Sequence, residues 1–235
     1  MKKLYYILLV TFLLVLPTLQ LQAQSVDLLW QGETYVSPFY KGRALWSKQS
    51  RITLVALPQG ISGNPANLTY KWIRNGTVLG NINGVGKNTL AFTGSVLSKP
   101  ETIKIEILSG RGIVLASQST TITPISPILV VYENNPLYGF MFHREINGTH
   151  ELKEREVTFT AFPFFFSASN RRDSTLTYEW RTNAGGVERG DSVTYRTPDN
   201  ASGSSEVRVN TSHKDKIMQD ANKNFLIQFE NLTDI

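Results

Sequence analysis

The sequence predicts an all-β protein of two tandem β-sandwich domains that follow an N-terminal export signal. Two observations predict it: a pentapeptide that occurs twice, and short runs in which apolar and polar residues alternate between turn signals. The chain reads Leu68-Thr-Tyr-Lys-Trp72 and then, 108 residues later, Leu176-Thr-Tyr-Glu-Trp180. Because this offset is the length of a small domain, the repeat indicates that one domain has been duplicated.

The stretches on either side of the pentapeptide recur as well. Ile52-Thr-Leu-Val-Ala-Leu-Pro58 corresponds to Val157-Thr-Phe-Thr-Ala-Phe-Pro163, and Thr102-Ile-Lys-Ile-Glu-Ile107 corresponds to Glu206-Val-Arg-Val-Asn210. The offsets drift by a few residues, which is the result expected when loops between equivalent strands differ in length. Both copies therefore follow the same strand plan.

The two domains are predicted to span residues 24–124 and 125–235, and they meet near Thr123-Pro-Ile-Ser-Pro127. Two prolines and no glycine in so short a segment indicate a semi-rigid connection. Each proline fixes its own φ and biases the preceding residue toward extended geometry. We therefore expect the two domains to form a short rod.

Within each copy the apolar residues alternate with polar ones. Ile103, Ile105 and Ile107 are separated by Lys104 and Glu106, so the isoleucines lie on one side of an extended segment. This period of two is typical of a half-buried strand.

Turn signals separate these short strands. Asn75-Gly76 follows the segment that contains Trp72 and is typical of a tight hairpin turn. Ser109-Gly-Arg-Gly112 lies between the isoleucine strand and the apolar residues 113–116. Many short strands with turns at such spacing indicate a sandwich rather than an α/β fold.

The repeated aromatic residues are predicted to be core residues. Tyr70 and Trp72 have the same parity, as do Tyr178 and Trp180, so both rings of each pair leave the same face of a strand. In immunoglobulin-like domains a tryptophan on the third strand fills the space between the two sheets. The repeated segments are therefore structural and form no active site.

Tyr-x-Trp followed by Asn-Gly resembles bacterial Ig-like and PKD-like modules of surface and secreted proteins. The acidic, glycine-rich continuation of true PKD domains is absent after both tryptophans, so the Ig-like label is preferred. The mature chain also resembles two-domain envelope proteins of uncultured small-genome bacteria, some of which accompany pilus-assembly genes. Leu28-Leu-Trp30, Pro38-Phe-Tyr-Lys-Gly42 and Tyr132-Glu-Asn-Asn-Pro-Leu-Tyr-Gly139 carry this resemblance. It implies a cell-envelope role and brings no catalytic residue with it.

The N-terminus predicts export. Two lysines precede an apolar run that ends at Leu16, which is of signal-peptide length and short for a membrane span. We place cleavage after Ala23, so that residues 1–23 form the signal peptide. The alternative is an uncleaved N-terminal anchor, because Leu21 is larger than the residue usually preferred before such a site. Export places the protein at the cell surface, in a periplasm-like space or outside the cell.

The composition limits the covalent links and the partners that this chain can have. The chain has no cysteine, which excludes disulfides and a lipid-modified cysteine. Removal of residues 1–23 lowers the formal charge from +5 to +3, which predicts solubility and gives no sign of a nucleic-acid partner. A membrane contact would come through the uncleaved anchor alone.

No residues are assigned to catalysis, to a cofactor or to a metal. Gly84-Val-Gly-Lys-Asn-Thr89 looks like a phosphate-binding loop, but Asn81 and Asn88 replace required residues of that motif. His143 and His150 flank an Asn-Gly turn signal, and in a hairpin they would face each other. Ordinary hairpin polarity is the preferred interpretation of that pair, since the spacing is unusual for zinc.

The candidate interaction surface lies in the second domain. Phe162-Pro-Phe-Phe-Phe166 is far more aromatic than its counterpart in the first domain, and Phe165 has the opposite parity to its aromatic neighbours. Tyr138, Phe140 and Phe142 form a second aromatic stretch without an equally apolar counterpart. Either these rings close a core or interdomain contact, with Phe165 as the expected surface residue, or they form an interface for a partner.

The predicted function is a non-enzymatic exported interaction or scaffold protein of the cell envelope, adhesin-like or pilus-associated, with a protein partner. The alternative is a carbohydrate-binding or spacer accessory module of a secreted hydrolase system, with a glycan partner. Exposed aromatic rings along one sheet would favour the glycan, whereas an apolar patch or an unpaired strand edge would favour a protein.

Overall fold

The computed structural model describes residues 23–197 and 202–230. The signal-peptide prediction falls on residues 1–22, which lie outside the described residues, and on Ala23. The described chain is almost entirely β: seventeen strands form four sheets, and its two helical segments are single 3-10 turns. Two sheets come from strands before residue 123 and two from strands after residue 127.

Eight strands build the first sandwich: β1 Ser25–Gly32, β2 Arg51–Gln59, β3 Thr69–Arg74, β4 Thr77–Val78, β5 Gly84–Val85, β6 Thr89–Thr93, β7 Glu101–Leu108 and β8 Val114–Ile122. One sheet has the order β1-β2-β6. The other has the order β4-β3-β7-β8, and β5 also pairs with β3. All of these pairings are antiparallel.

Nine strands build the second sandwich: β9 Ile128–Asn135, β10 Gly139–Glu145, β11 Gly148–Leu152, β12 Glu156–Phe164, β13 Leu176–Thr182, β14 Val187–Arg189, β15 Ser192–Arg196, β16 Gly203–His213 and β17 Lys216–Phe229. Their sheets have the orders β10-β9-β12-β15 and β11-β17-β16-β13-β14. The β11–β17 pair is parallel, whereas the other pairs are antiparallel.

The two sandwiches share one strand plan. β1, β2 and β6 occupy the places of β9, β12 and β15 in one sheet, and β3, β7 and β8 occupy those of β13, β16 and β17 in the other. The chain is therefore all-β, with two tandem Ig-like sandwiches, as the sequence predicts. The second sandwich adds β10 and β11, whereas the first has a long loop, residues 33–50, between β1 and β2.

Local sequence explains the strands and turns of the first sandwich. Ile103, Ile105 and Ile107 are fully buried in the core. On the other face Glu106 accepts hydrogen bonds from Lys104, at 2.7 Å, and from a lysine on β3. These bonds lower the pKa of the Glu106 carboxyl. The predicted two-residue Asn-Gly hairpin is confirmed, because both of its residues have positive φ and join β3 to β4.

The second sandwich has two distinct ends. β12 ends at Phe164 and β17 begins at Lys216, and both of these positions lie beside the first sandwich. At the opposite end the β9–β10 turn follows Asn135, which pairs with Gly139, and β17 ends at Phe229. We call the end beside the first sandwich the near end and the opposite end the far end.

Candidate interaction surface

The repeated tryptophans fill equivalent places in the two cores. Trp72 and Trp180 are fully buried. The Trp72 indole N–H donates to the Lys87 carbonyl at 2.8 Å, and the Trp180 indole donates to the Gly190 carbonyl at 2.9 Å. Each acceptor lies two residues before a strand of the opposite sheet, β6 or β15. Each indole therefore ties one sheet of its sandwich to the other.

The tyrosines of the same motif are also core residues with one polar contact each. The Tyr70 hydroxyl donates to the Pro65 carbonyl at 3.0 Å, and the Tyr178 hydroxyl donates to the Arg171 carbonyl at 2.6 Å. Burial raises the pKa of both hydroxyls, so both stay protonated donors at neutral pH. All four predicted core residues are thus buried.

A third buried cluster lies between the sandwiches, and we call it the aromatic joint. Three side chains at the end of β12 are buried there against side chains of both sandwiches. The buried rings are Phe162, Phe164 and Phe165, and the surrounding residues are Tyr35, Val36, Leu45, Ile125, Val130, Tyr132, Phe140 and Phe142. The aromatic stretch of the second sandwich therefore closes an interdomain contact, which was one of the two alternatives open from the sequence.

Phe165 is a correction to the sequence prediction. It was expected at the surface, yet 5% of its area is exposed, and its ring packs against Tyr40 and Phe164 with centroid distances of 6.0 and 5.9 Å. Side chains alternate between two faces only along extended backbone, whereas Phe165 has φ of 64°, in the left-handed region. That turn directs its side chain into the joint, and two adjacent rings are buried together.

Backbone hydrogen bonds reinforce the joint. The Phe165 N–H donates to the Tyr35 carbonyl, and the Tyr35 N–H donates to the Phe166 carbonyl, both at 2.8 Å. The linker also pairs with the first sandwich, because Ile125 exchanges backbone hydrogen bonds of 3.0 Å with Trp46 and Lys48. The loop of residues 33–50 is thereby held on both sides.

A fully buried glutamine supplies the second interdomain contact. The Gln219 amide donates to the Lys48 carbonyl at 2.8 Å, to the Ser167 hydroxyl at 2.9 Å and to the Ser47 hydroxyl at 3.3 Å. Its amide oxygen accepts from the Ser167 N–H at 2.8 Å. The neighbouring Met218 N–H donates to the Gln49 side chain at 2.8 Å. This buried polar network is satisfied, which favours one orientation of the two sandwiches.

Two exposed apolar side chains form a projecting tip at the far end, residues 136–138. Leu137 is 85% exposed and Tyr138 is 76% exposed. The Asn135 side-chain oxygen accepts hydrogen bonds from both of their backbone N–H groups, at 2.9 and 3.3 Å. The turn is thus ordered by its own backbone while both side chains point into solvent.

Phe140 and Phe142 are half-buried on the outer face of the β9–β10 hairpin. Their rings meet the Phe162 ring edge to face, with centroid distances of 5.3 Å for each pair. Arg171 lies over the Phe140 ring at 4.7 Å, and its guanidinium pairs with Asp191 at 2.5 Å. These contacts extend the aromatic joint along the sheet and leave part of each ring open to solvent.

A groove runs along this outer face and is continuous with the aromatic joint. Its volume is about 470 Å³. One wall comes from residues 37–41 of the first sandwich, and the floor comes from β9, β10 and β12. The lining residues are Ser37, Pro38, Phe39, Tyr40, Lys41, Ile128, Val130, Tyr132, Phe142, Phe164 and Phe165. It combines an apolar floor with one cationic side chain on its rim.

A separate cavity opens at the far end, between the sheets. Trp180, Tyr195 and Phe229 contribute to its walls, together with the β13–β14 turn. The hydroxyl oxygens of Tyr195 and Thr197 are buried without a hydrogen-bond partner. Burial raises the pKa of Tyr195 to about 12. Both residues line the cavity.

The histidine hairpin was a wrong expectation. β10 lies in one sheet and β11 pairs with β17 in the other, so His143 and His150 belong to different sheets. His143 is exposed, whereas His150 is buried against Phe159 at 5.2 Å between ring centroids. Among the described residues no group of three His, Cys, Asp or Glu side chains is arranged for a metal ion. The part of the chain that the structure describes also contains no helix suited to crossing a membrane.

Sequence reasoning missed Gln219 and Trp46. Gln219 lies on the same face of β17 as Ala221, Phe225 and Ile227, which are buried in the core. A glutamine at a core-facing position of an alternating strand is a signal that the sequence already contained. Trp46 lies outside the named strands, yet it is almost fully buried and donates to the Ser50 carbonyl at 3.0 Å. No periodic pattern marks it.

Neither a protein-family model nor a curated protein sequence matches this chain. Similar solved structures include the three N-terminal domains of the bacteriophage RB49 Highly Immunogenic Outer Capsid protein (Hoc). That chain is 16% identical with a TM-score of 0.45, and the match covers 88% of this chain and 59% of that chain.

Two further solved structures are less similar. The fibronectin(III)-like modules of Clostridium thermocellum CbhA are 12% identical with a TM-score of 0.27, over 87% of this chain and 96% of that chain. The ectodomain of mouse nectin-like molecule 4 is 10% identical with a TM-score of 0.33, over 90% of this chain and 65% of that chain. This chain spans less than two thirds of the length of the Hoc and nectin-like chains. The description of its fold therefore rests on the sheet topology given above.

Proposed function

We propose that this chain is a non-enzymatic, exported interaction or scaffold protein of the cell envelope, adhesin-like or pilus-associated. Residues 1–23 are its export signal, and residues 24–124 and 125–235 are its two domains. The second sandwich presents its far end to a protein partner.

The observation that carries the proposal is the joint between the sandwiches. Tyr35 and Phe165 are joined by backbone hydrogen bonds, and Gln219 spans the same boundary with a buried amide. Ordered contacts of both kinds favour a single orientation, since a freely moving pair would leave these polar groups unsatisfied. A fixed orientation suits a protein that displays one surface at a set distance from its attachment point.

The exposed tip makes the far end the favoured contact surface. Of the four residues predicted for this surface, Tyr138 is exposed, Phe140 and Phe142 are half-buried, and Phe165 lies within the joint. The side chains that a partner reaches first are therefore those of Leu137 and Tyr138. This exposed apolar pair offers a protein partner area that it can remove from water.

The carbohydrate-binding alternative has less support. A sugar ring stacks on a flat, exposed aromatic face, whereas Tyr132, Phe140 and Phe142 pack against one another or against Phe162. The Tyr132–Phe142 pair meets edge to face with centroids 5.2 Å apart. These contacts cover part of each ring and favour a protein partner over a glycan.

Site-specific photo-crosslinking in the native envelope tests the proposal. A photoreactive residue at position 138 is compared with one at position 217, because Tyr138 and Ile217 are both 76% exposed but lie at opposite ends of the second sandwich. We expect a discrete protein adduct from position 138 and none from position 217. Equal adducts from both positions, or none from either, would contradict the proposal.

A further inference from the structure

The tip and the groove are both largely apolar, and the tip projects whereas the groove is concave. The tip projects two apolar side chains, Leu137 and Tyr138, from an ordered turn. The groove offers an apolar floor that includes Ile128 and Tyr132, and about 470 Å³ of space. Both expose apolar area whose removal from water stabilises a contact.

One wall of the groove combines an exposed aromatic side chain with a packed one. Phe39 is 90% exposed and has φ of 65°, a left-handed conformation that is costly for a bulky residue. The next residue, Tyr40, packs its ring on Phe164 and Phe165 with centroid distances of 5.7 and 6.0 Å. Tyr40 thus anchors this wall while Phe39 projects from it into solvent.

A tip cannot enter the groove of its own chain. The groove floor uses β9 from Ile128 to Tyr132, and the tip follows Asn135 at the other end of the same strand. Asn135 lies three residues beyond Tyr132, which is about 10 Å of extended backbone directed away from the groove. The occupant must therefore come from another molecule.

Charge distribution favours a second copy as that molecule. Residues 24–124 contain ten Lys and Arg against four Asp and Glu, whereas residues 125–235 contain twelve against fifteen. The half that forms one groove wall is thus positively charged, and the half that carries the tip is negatively charged. Such halves attract each other between copies and orient the encounter.

The groove rim repeats this charge pattern locally. Lys41 is the charged member of the described residues that line the groove, and no acidic side chain is among them. Glu33, Glu101 and Glu106 of the first sandwich are each paired with a cation of the same sandwich. The rim therefore suits a segment from an acidic surface.

We propose that the tip of one copy docks in the groove of a second copy, with Leu137 and Tyr138 as the inserted side chains. This inference rests on the proposed function and names its partner. The contact is heterologous, because tip and groove are different surfaces, so each added copy still offers a free tip or a free groove. Copies joined in this way extend into an open chain unless the rotation between them closes a ring.

Sedimentation velocity of residues 24–235 tests the proposal with two blocked variants. The tip variant is L137D/Y138S, and the groove variant is F39D/I128E. All four positions are at least 47% exposed in the structure, so both variants are expected to fold. Wild type should form species beyond the dimer as its concentration rises, and salt should weaken them. Each variant alone should stay monomeric.

The equimolar mixture gives the sharpest result. The tip variant keeps an intact groove and the groove variant keeps an intact tip, so the mixture should form a 1:1 heterodimer and nothing larger. Lys41→Glu should weaken wild-type association more than Lys99→Glu, which changes the charge of the same half equally but at an exposed position that does not line the groove.

Three results would overturn the inference: monomeric wild type at every concentration, association of both variants as in wild type, or a monomeric mixture. Failure of the inference is distinguishable from failure of the proposed function. If wild type stays monomeric but position 138 still crosslinks to a different envelope protein, the proposed function stands and docking between copies does not.

Discussion

The Gln219 side-chain amide donates a hydrogen bond of 2.8 Å to the backbone carbonyl of Lys48, across the boundary between the two sandwiches. The residues are 171 positions apart in the chain, and the amide is buried. A buried amide that finds its partner in the other sandwich couples the orientation of one to the other. The first two predictions concern this coupling.

Gln219→Ala should loosen the joint. The substitution removes the Gln219 partner of the Lys48 carbonyl, of the Ser47 and Ser167 hydroxyls and of the Ser167 N–H. Each of these groups that stays buried and unsatisfied costs about 1–3 kcal/mol. Small-angle scattering should change from one narrow, elongated distribution to a broader one. Gln228→Ala, at an exposed position of the same strand, is the control and should match wild type. A narrow distribution for both variants would show that the amide does not hold the joint.

Phe165→Ser and Tyr138→Ser should differ in their effect on the free energy of unfolding, because Phe165 is buried in the joint and Tyr138 is exposed at the tip. Removal of the buried Phe165 ring should lower the free energy of unfolding by about 3–5 kcal/mol, the range for large core truncations. Tyr138 is exposed, so its substitution should change stability by about 0.5 kcal/mol or less. Urea unfolding followed by tryptophan fluorescence measures both. Similar losses for the two variants would contradict the burial that separates them.

Trp72→Phe and Trp180→Phe should have nearly equal effects. Each removes an indole N–H and leaves a carbonyl of the opposite sheet, from Lys87 or Gly190, without its donor. We expect each to lose about 1–3 kcal/mol of unfolding free energy. Trp30→Phe serves as the control because Trp30 is partly exposed. Clearly unequal losses would argue against equivalent roles for the two tryptophans.

Stability should fall on mild acidification because of two buried histidines. Burial lowers the pKa of His150 and of His213 from the ordinary value of 6.5. The unfolded chain therefore binds a proton more readily than the folded chain, so their contribution is fully present above pH 6.5 and is lost as pH falls through the folded pKa.

For His213 the structure gives a local reason. Its ring nitrogen Nδ1 accepts the Asp215 N–H at 3.1 Å, and a protonated ring cannot accept. Chemical unfolding measures the free energy of unfolding at pH 7.5 and pH 5.5. These values lie about one pH unit above and below the ordinary histidine pKa. Replacement of both buried histidines by glutamine should flatten the dependence, whereas His143→Gln should retain it. An unchanged dependence in the double variant would refute this explanation.

Local sequence was sufficient for the alternating strands, the Asn75-Gly76 turn and the repeated core. Alternating isoleucines and this turn act through neighbouring residues, so their consequences can be predicted from the chain alone. The parity of Tyr70 and Trp72, repeated in Tyr178 and Trp180, follows from the two-residue period of any extended strand.

Tertiary structure alone decided the aromatic joint, the groove and the separation of the two histidines. Phe165 is buried because a left-handed backbone angle interrupts the alternation, and that angle is held by hydrogen bonds to Tyr35 of the other sandwich. Gln219 is satisfied by partners that are distant in the chain. Contacts between residues so far apart leave no periodic pattern in the sequence, because they depend on where whole sheets pack against each other.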